Sequence, residues 1–192
     1  MKELFLKRKL QFIWLLIAAG LVGLDRLTKW LVASKMKLLD TISIIKFGDT
    51  EVLNIYYCLN DGAAFSKLSG QTGLLIVFTS LVIAALLFVM LTGKVKRHVY
   101  IAALGLVIGG GIGNLIDRVF NNGKVVDFID FRIINFPVFN VADICAVCGA
   151  GLVMLALIID EIRELRKKRS EPTSEPSSDS ASDPSGGRNE KI

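Results

Sequence analysis

Two aspartates in this sequence lie inside short apolar runs, where a carboxylate at membrane depth is costly unless it has a partner or a function. Asp127 belongs to the run VVDF (125–128), and Asp143 ends the run FNVAD (139–143). Two carboxylates a few ångströms apart cannot easily both ionise, so one keeps a proton. The ionised acid can then activate water while the protonated acid polarises a carbonyl. Such a pair predicts aspartic-protease chemistry on a peptide bond.

Each aspartate also has a simpler structural interpretation. Asn140 is a suitable N-cap residue, which would make Asp143 a capping-box acid in the first turn of a helix, favoured by the helix dipole. Asp127 would be a solvated edge residue, like its neighbour Asp130. If the two acids do form a pair, they titrate as a unit, and either one is a candidate for the shared proton.

Polar residues also gather near the ends of two apolar stretches. Asp25 and Lys29 are spaced i, i+4, which places them on one helix face where they can form an ion pair. Asn114, Asp117 and Arg118 share a helix face in the same way, and they follow a glycine-rich run that permits close helix packing. Taken alone, each group is explained as well by structural ion pairing or by a packing seam.

The segments between the apolar stretches carry further signals. Residues 51–59 and 125–134 are rich in β-branched and aromatic residues, which predicts short strands or interfacial segments. After the first of these, the segment NDGAAF (60–65) predicts a polar turn, in which Gly62 permits a tight bend and Asn60 offers both donors and an acceptor. By itself, this turn is better explained as an ordinary loop than as a binding site.

The counts of histidine and cysteine exclude several kinds of site. His98 is the single histidine, which excludes a histidine-rich metal site and an H-E-x-x-H zinc motif. The three cysteines are an odd number without a complete disulfide framework. Cys145 and Cys148 have redox-motif spacing but no βαβ context, so we interpret them as small packing residues on one helix face. General acid/base work then falls to carboxylates, and we expect neither metal nor cofactor.

Four apolar stretches are long enough to cross a bilayer, whose ~30 Å hydrocarbon core needs about 20 helical residues. They cover residues 12–33, 73–92, 99–116 and 139–159. Basic clusters precede the first stretch, join the second to the third and follow the fourth, so all three lie in the cytoplasm if the spans alternate. The sequence predicts an all-α integral membrane protein with four transmembrane helices, cytoplasmic termini and a small extracytoplasmic β-rich element.

The composition divides the chain in two. The whole sequence is 52% hydrophobic with a net charge of +5, but residues 170–192 are rich in serine and proline and carry five acids and two bases. We expect a membrane domain over residues 1–169 and a disordered, acidic cytoplasmic tail over residues 170–192. The basic residues flank the spans and form no stripe on a soluble face, so nucleic acid is not an expected partner.

Taken together, five motifs of this chain resemble the type II signal peptidases, the lipoprotein signal peptidases of bacteria. The motifs are DRLTK (25–29), NxGAAF (60–65), GGxxGNxxDR (109–118), VVDF (125–128) and FNxAD (139–143). They occur in the family's order and within the family's four-span layout. One such motif would mean little, but five in order are highly specific.

The resemblance implies roles for nine residues. Asp127 and Asp143 would be the catalytic dyad, and Asp25 and Lys29 would support the site. The residues implied to line the site, position the substrate or support it further are Asn60, Gly62, Asn114, Arg118 and Asn140.

The resemblance also implies a reaction and a location. The family removes signal peptides from diacylglyceryl-modified prolipoproteins, cutting just before the lipidated cysteine, without a metal. Acyl chains would keep the scissile bond near the interface, so confinement to the membrane would contribute to positioning. We therefore expect an aspartic endopeptidase of the bacterial cytoplasmic membrane that contacts membrane lipid, acts as a monomer and has its active site on the extracytoplasmic face.

Two other classes of protein fit parts of this pattern. A small transporter or channel would use the intramembrane acids and Arg118 to bind or relay ions. Against it, the acids gather near one membrane face and no span carries charges through its middle. A non-catalytic assembly protein would use the same polar helix ends only to fix helix packing.

Overall fold

The computed structural model describes residues 2–62, 70–95, 97–134 and 136–170. Within these ranges the chain forms four α-helices, three strands and one short 3-10 helix. In chain order the elements are α1 (Lys2–Lys35), β1 (Thr41–Phe47), β2 (Thr50–Asn60), α2 (Thr72–Leu91), α3 (His98–Phe120), β3 (Val125–Asp130), the 3-10 helix (Arg132–Ile134) and α4 (Val141–Ser170).

The four described helices are each long and apolar enough to cross a membrane. The segments that meet this condition are Lys9–Lys35, Thr72–Leu91, His98–Phe120 and Val141–Arg169. Many large apolar side chains on these helices are exposed, among them Leu16, Phe78 and Phe88, as expected where lipid is the solvent. The predicted four-helix membrane fold is confirmed. The third helix continues to Phe120, past the predicted end at residue 116.

Glycines allow α3 to pack closely against α1 and α4. A Cβ atom at Gly113 would lie 2.7 Å from Asp25 Oδ2 and 3.0 Å from Ala142 Cβ. A Cβ atom at Gly110 would collide with the backbone of Ala142 and Ala146. The predicted packing seam is therefore confirmed, and it brings the polar residues of three helices together.

The three strands form one antiparallel sheet in the order β1–β2–β3. The predicted strands at 51–59 and 125–134 correspond to β2 and β3, although β3 ends at Asp130. Strand β1 was not predicted from the sequence. Its alternation of polar and apolar residues is broken by register shifts between Ser43 and Lys46, and most of its side chains are exposed. A bulged, exposed strand lacks the period-two burial pattern that marks a half-buried one.

The segment before α4 returns along β3. The Ile129 N–H donates a hydrogen bond to the Phe139 carbonyl at 2.8 Å, and the Phe139 N–H donates to the Ile129 carbonyl at 3.1 Å. The Phe139 ring also contacts the ring of Phe131, with centroids 5.9 Å apart, and that of Phe136, with centroids 5.6 Å apart. This pairing places the next residue, Asn140, beside β3.

The chain divides into two compact units, Met1–Ile158 and Ile159–Ile192. In the second unit, the described residues form the end of α4, where Lys168 Nζ lies 3.0 Å from Glu164 Oε1. Most of the predicted disordered tail, from residue 171 to the end, lies outside the described residues. The division at residues 169 and 170 therefore stays a prediction.

Candidate active site

Asp127 lies on β3, and the amide of Asn60 reaches it from the end of β2. Asn60 Nδ2 donates a hydrogen bond to Asp127 Oδ2 at 3.0 Å. At the other end of this amide, Oδ1 accepts a hydrogen bond from the Gly62 N–H at 2.9 Å. The tight turn thus orients the Asn60 amide so that its donor faces the carboxylate. Residues 63–65 of the same motif lie outside the described residues.

Asn140 caps α4 and, in doing so, orients Asp143. Asn140 Oδ1 accepts a hydrogen bond from the Asp143 N–H at 3.0 Å, and Asp143 Oδ2 accepts one from the Asn140 N–H at 3.1 Å. This reciprocal pair is a capping box, which confirms the predicted N-cap. The structural interpretation of Asp143 is therefore compatible with a functional one, because the cap holds the carboxylate at the start of α4.

The side chain of Asn140 joins the two aspartates. Its Nδ2 donates to Asp127 Oδ1 at 2.6 Å, while its backbone N–H donates to Asp143. Asn140 is 0% exposed and Asp127 is 2% exposed. A solvated edge position for Asp127, the simpler interpretation, is therefore wrong. One buried residue bonds both carboxylates and holds them near each other.

Asn114 on α3 extends this network toward α1. Its Nδ2 donates to Asp143 Oδ1 at 2.7 Å. Its Oδ1 accepts hydrogen bonds from Asn140 Nδ2 at 3.0 Å and from Lys29 Nζ at 3.0 Å. Because an ammonium group has donors only, Asn114 turns its oxygen to Lys29 and its amide hydrogens to Asp143.

Lys29 lies between two buried carboxylates. Its Nζ atom is 2.8 Å from Asp25 Oδ2 and 2.9 Å from Asp117 Oδ2. The predicted pair of Asp25 and Lys29 is confirmed. Asp117 also pairs with Arg26. No individual role was predicted for Asp117 or Arg26. Asp117 had a usable signal, since it shares a helix face with Asn114, whereas the signal for Arg26 was its place in the motif DRLTK (25–29).

Arg118 ties α3 to the turn that follows β2. Its Nη2 donates to the Gly62 carbonyl at 2.9 Å. The nine residues that the resemblance implied therefore form one connected network of hydrogen bonds and ion pairs. They are Asp25, Lys29, Asn60, Gly62, Asn114, Arg118, Asp127, Asn140 and Asp143.

Both aspartates line a single cavity of about 870 Å³. Its polar lining residues include Asn60, Asn114, Arg118, Asp127 and Asp143. Its apolar lining residues are Leu59, Val125, Phe136, Pro137, Val138, Phe139, Ile144, Ala146 and Val147. A large apolar cavity with a few convergent polar groups is typical of a ligand-binding or catalytic site.

The environment of Asp127 changes its acidity. Burial, reinforced by the negative charge of Asp143, raises the pKa of Asp127 to about 6. Hydrogen bonds from Asn60 and Asn140 and the positive charge of Lys29 oppose this shift without cancelling it. Asp127 therefore holds a proton at a pH where an ordinary aspartate has lost it.

Two cysteines also line the cavity. Cys58 is the register partner of Asp127 across β2 and β3. Burial and the charges of Asp127 and Asp130 raise the pKa of the Cys58 thiol to about 12, which keeps it protonated. Cys148 is exposed, so its interpretation as a packing residue is wrong, while Cys145 is buried as expected.

The described cavity wall offers carboxylates, carboxamides, a guanidinium group and thiols as its reactive or polar groups. Among the residues that the structure describes, no group of three or more His, Cys, Asp or Glu side chains is placed to hold a metal ion. Two carboxylates that accept hydrogen bonds from two neutral donors of one residue, Asn140, at an apolar cavity are suited to sharing a proton.

The sequence matches known proteins along most of its length. The model of the family described as signal peptidase (SPase) II matches residues 17–159. The lipoprotein signal peptidase of Shouchella clausii is 40% identical over 154 residues, which cover 80% of this chain and 98% of that protein. The lipoprotein signal peptidase of Halothermothrix orenii is 46% identical over 134 residues, which cover 70% of this chain and 87% of that protein.

The fold is also similar to solved structures. A bacterial membrane enzyme solved by the in meso method at 2.3 Å resolution has a TM-score of 0.70 and 35% identity, covering 78% of this chain and 89% of that chain. A second, solved at 1.9 Å, has a TM-score of 0.66 and 36% identity. With the family match over residues 17–159 and these identities to lipoprotein signal peptidases, the chain belongs to the signal peptidase II family.

Proposed function

We propose that Asp127 and Asp143 are the catalytic dyad of a membrane aspartic endopeptidase, which cuts diacylglyceryl-modified prolipoproteins before the lipidated cysteine. As a member of the signal peptidase II family, the chain is a bacterial membrane protease that removes signal peptides from prolipoproteins. One observation carries the dyad assignment. Asn140 hydrogen-bonds both carboxylates, and both line the same apolar cavity.

The proposed reaction uses one proton shared by the dyad and one water molecule. The ionised carboxylate takes a proton from water, and the water oxygen attacks the scissile carbonyl carbon. The protonated carboxyl gives its proton to the carbonyl oxygen, which forms a tetrahedral diol. The diol then collapses as the C–N bond breaks: one diol hydroxyl gives its proton back to the ionised carboxylate, and the leaving nitrogen takes the proton of the protonated carboxyl, so the dyad again holds one proton. Atoms and charges balance without a metal or cofactor.

The lining of the cavity supports a lipid-modified substrate. Beside the dyad, the wall is formed by apolar residues of the segment before α4 and by Ile144 and Val147 of α4 itself. Acyl chains that stay in the bilayer would keep the scissile bond close to this helix end. Arg118 and Asn60 lie on the polar part of the wall, and in this proposal they contact the peptide.

The connections of the helices support an active site outside the cytoplasm. Strands β1 and β2 lie between α1 and α2, and β3 lies between α3 and α4. If the four helices alternate in direction across the membrane, both connections lie on the same side. The basic segment between α2 and α3 lies on the opposite side, which the positive-inside rule assigns to the cytoplasm. Both termini would then be cytoplasmic, in the bacterial cytoplasmic membrane.

The proposed enzyme acts as a monomer in contact with membrane lipid. The exposed apolar surfaces of the four helices provide the contact with lipid.

Single replacement of the dyad residues tests the proposal. We expect Asp127→Asn and Asp143→Asn to lower prolipoprotein cleavage by roughly 10³-fold or more, since general acid–base catalysis by a positioned group contributes about 10²–10⁴-fold. Cleavage is measured in membranes or detergent, with insertion checked for each variant.

The matched control is Asp130→Asn, which changes an aspartate on the same strand whose carboxylate pairs with Arg132 at 2.9 Å. This variant should cleave normally. Normal processing by either dyad variant would contradict the assignment.

A further inference from the structure

Asp127 and Asp143 each come directly after a residue whose backbone N–H donates a hydrogen bond to a buried carboxylate. Asp117 Oδ2 accepts a hydrogen bond from the Val126 N–H at 3.1 Å. Asp25 Oδ1 accepts one from the Ala142 N–H at 2.9 Å. Because a peptide unit is nearly rigid, displacing either carboxylate would displace the catalytic residue next along the chain.

One ammonium group connects these two carboxylates. Lys29 Nζ has Asp25 Oδ2 at 2.8 Å, Asp117 Oδ2 at 2.9 Å and Asn114 Oδ1 at 3.0 Å. Three oxygens therefore face the three donors of the ammonium group. The side chains of Lys29 and of both aspartates are each 1% exposed, so solvent screens these contacts little.

We propose that Asp25, Lys29 and Asp117 are positioning residues that set the separation between Asp127 and Asp143. One connection runs from Lys29 through Asp117 to the backbone beside Asp127. The other runs from Lys29 through Asp25 to the backbone beside Asp143. This inference rests on the proposed dyad and adds how the protein holds its two members at a working distance.

The need for such a connection follows from the elements that carry the dyad. Asp127 lies on a strand and Asp143 lies on a helix, so no single element holds both. A shared proton and an attacking water both require a narrow range of separations, and a misplacement of about 1 Å can lower a rate by about 10²-fold. Asn140 orients the two carboxylates, and the Lys29 connection holds the backbones that carry them.

Arg26 provides an internal comparison. It also pairs with Asp117, but through the other carboxylate oxygen, and its side chain is 40% exposed. Val126 and Lys29 both contact Oδ2 of Asp117, so the connection between the dyad backbones does not pass through Arg26. Removal of Arg26 changes a charge near the site while leaving that connection in place.

The test compares Lys29→Arg and Asp25→Asn with the control Arg26→Met. Lys29→Arg keeps the positive charge but puts a larger guanidinium in a fully buried site. Asp25→Asn keeps the shape but faces Lys29 with an amide that cannot form an ion pair. We expect both variants to lower kcat by about 10–10²-fold with KM nearly unchanged. Arg26→Met should keep kcat within about twofold.

The assay is cleavage of a synthetic diacylglyceryl lipopeptide in detergent micelles, with thermal unfolding measured for every variant. If Lys29→Arg kept the wild-type kcat, the inference would be wrong, because a positive charge at this position would then be sufficient for catalysis. The inference would also be wrong if Asp25→Asn shifted only the pH profile and left the maximal kcat unchanged.

The outcome for the dyad itself is separable. If Asp127→Asn and Asp143→Asn still cleave, the proposed function fails. If those variants are inactive while Lys29→Arg and Asp25→Asn keep full kcat, only the positioning inference fails.

Discussion

Asn114 connects two pairs of aspartates through its hydrogen bonds to Asp143, Asn140 and Lys29, and the groups that surround the two pairs differ in kind. The amide-bound pair, Asp127 and Asp143, accepts hydrogen bonds from carboxamides and from a backbone N–H. The cation-bound pair, Asp25 and Asp117, lies against Lys29, and Arg26 also pairs with Asp117. The same residue type is thus placed in two different electrostatic environments within one network.

This difference gives identical side chains different chemical properties. Neutral donors satisfy the oxygens of a carboxylate without cancelling its charge, so burial still favours the protonated form, as the raised pKa of Asp127 shows. Cations cancel the charge and lock the geometry. The amide-bound pair is suited to moving a proton, and the cation-bound pair is suited to holding elements together.

The largest effect expected from the difference between the two pairs is on the free energy of unfolding. Lys29→Met leaves Asp25 without its buried partner, and breaking a buried ion pair from one side costs about 3–5 kcal/mol of unfolding free energy. Thermal or denaturant unfolding in detergent measures the change. A loss below about 1 kcal/mol, the size typical of surface pairs, would show that the cation-bound pair does not hold the fold.

A smaller effect of opposite sign is expected at the amide-bound pair. The pKa of Asp127 in the folded protein, about 6, lies above its unfolded value, so the folded state binds more protons between about pH 4 and pH 6. Stability from this group is therefore lost as the pH rises through that window. Between pH 4 and pH 7, the free energy of unfolding of the wild type should therefore fall by about 1–3 kcal/mol relative to that of Asp127→Asn, which has no proton to lose at this position.

The comparison with wild type across pH provides the control for this prediction. Below about pH 3, where Asp127 is protonated in both states, the difference between the wild type and Asp127→Asn should no longer change with pH. If the wild type instead gained stability relative to Asp127→Asn as the pH rose from 4 to 7, the charged carboxylate would be shown to stabilise the fold, as a cation-bound aspartate does.

The third effect concerns activity and its dependence on pH. If the dyad needs one shared proton, kcat/KM should fall as the pH rises above about 6, the pKa of Asp127, by about tenfold per pH unit once the proton is lost. Steady-state cleavage of the lipopeptide between pH 5 and 9 measures this limb. The control variant Asp130→Asn should show the same pH profile. A flat wild-type profile above pH 6 would show that catalysis does not depend on the proton of Asp127.

Local spacing in the sequence was sufficient for much of the site. The i, i+4 spacing of Asp25 and Lys29 predicted their ion pair, and the spacing of Asn140 and Asp143 predicted the cap of α4. Both contacts lie within about one helical turn, where the helix geometry determines which side chains meet. The lengths of the apolar stretches predicted the four membrane helices for a similarly local reason.

The contacts between elements depended on the tertiary structure. Lys29 reaches Asp117 on another helix, and Asn140 reaches Asp127 on a strand. Strand β1 was missed because a bulge interrupts its pattern. Helix periodicity says which residues share a face but not which face meets which neighbour. The glycine seam, the sheet register and the return of the chain along β3 decide that, and they join the two pairs of aspartates into one network.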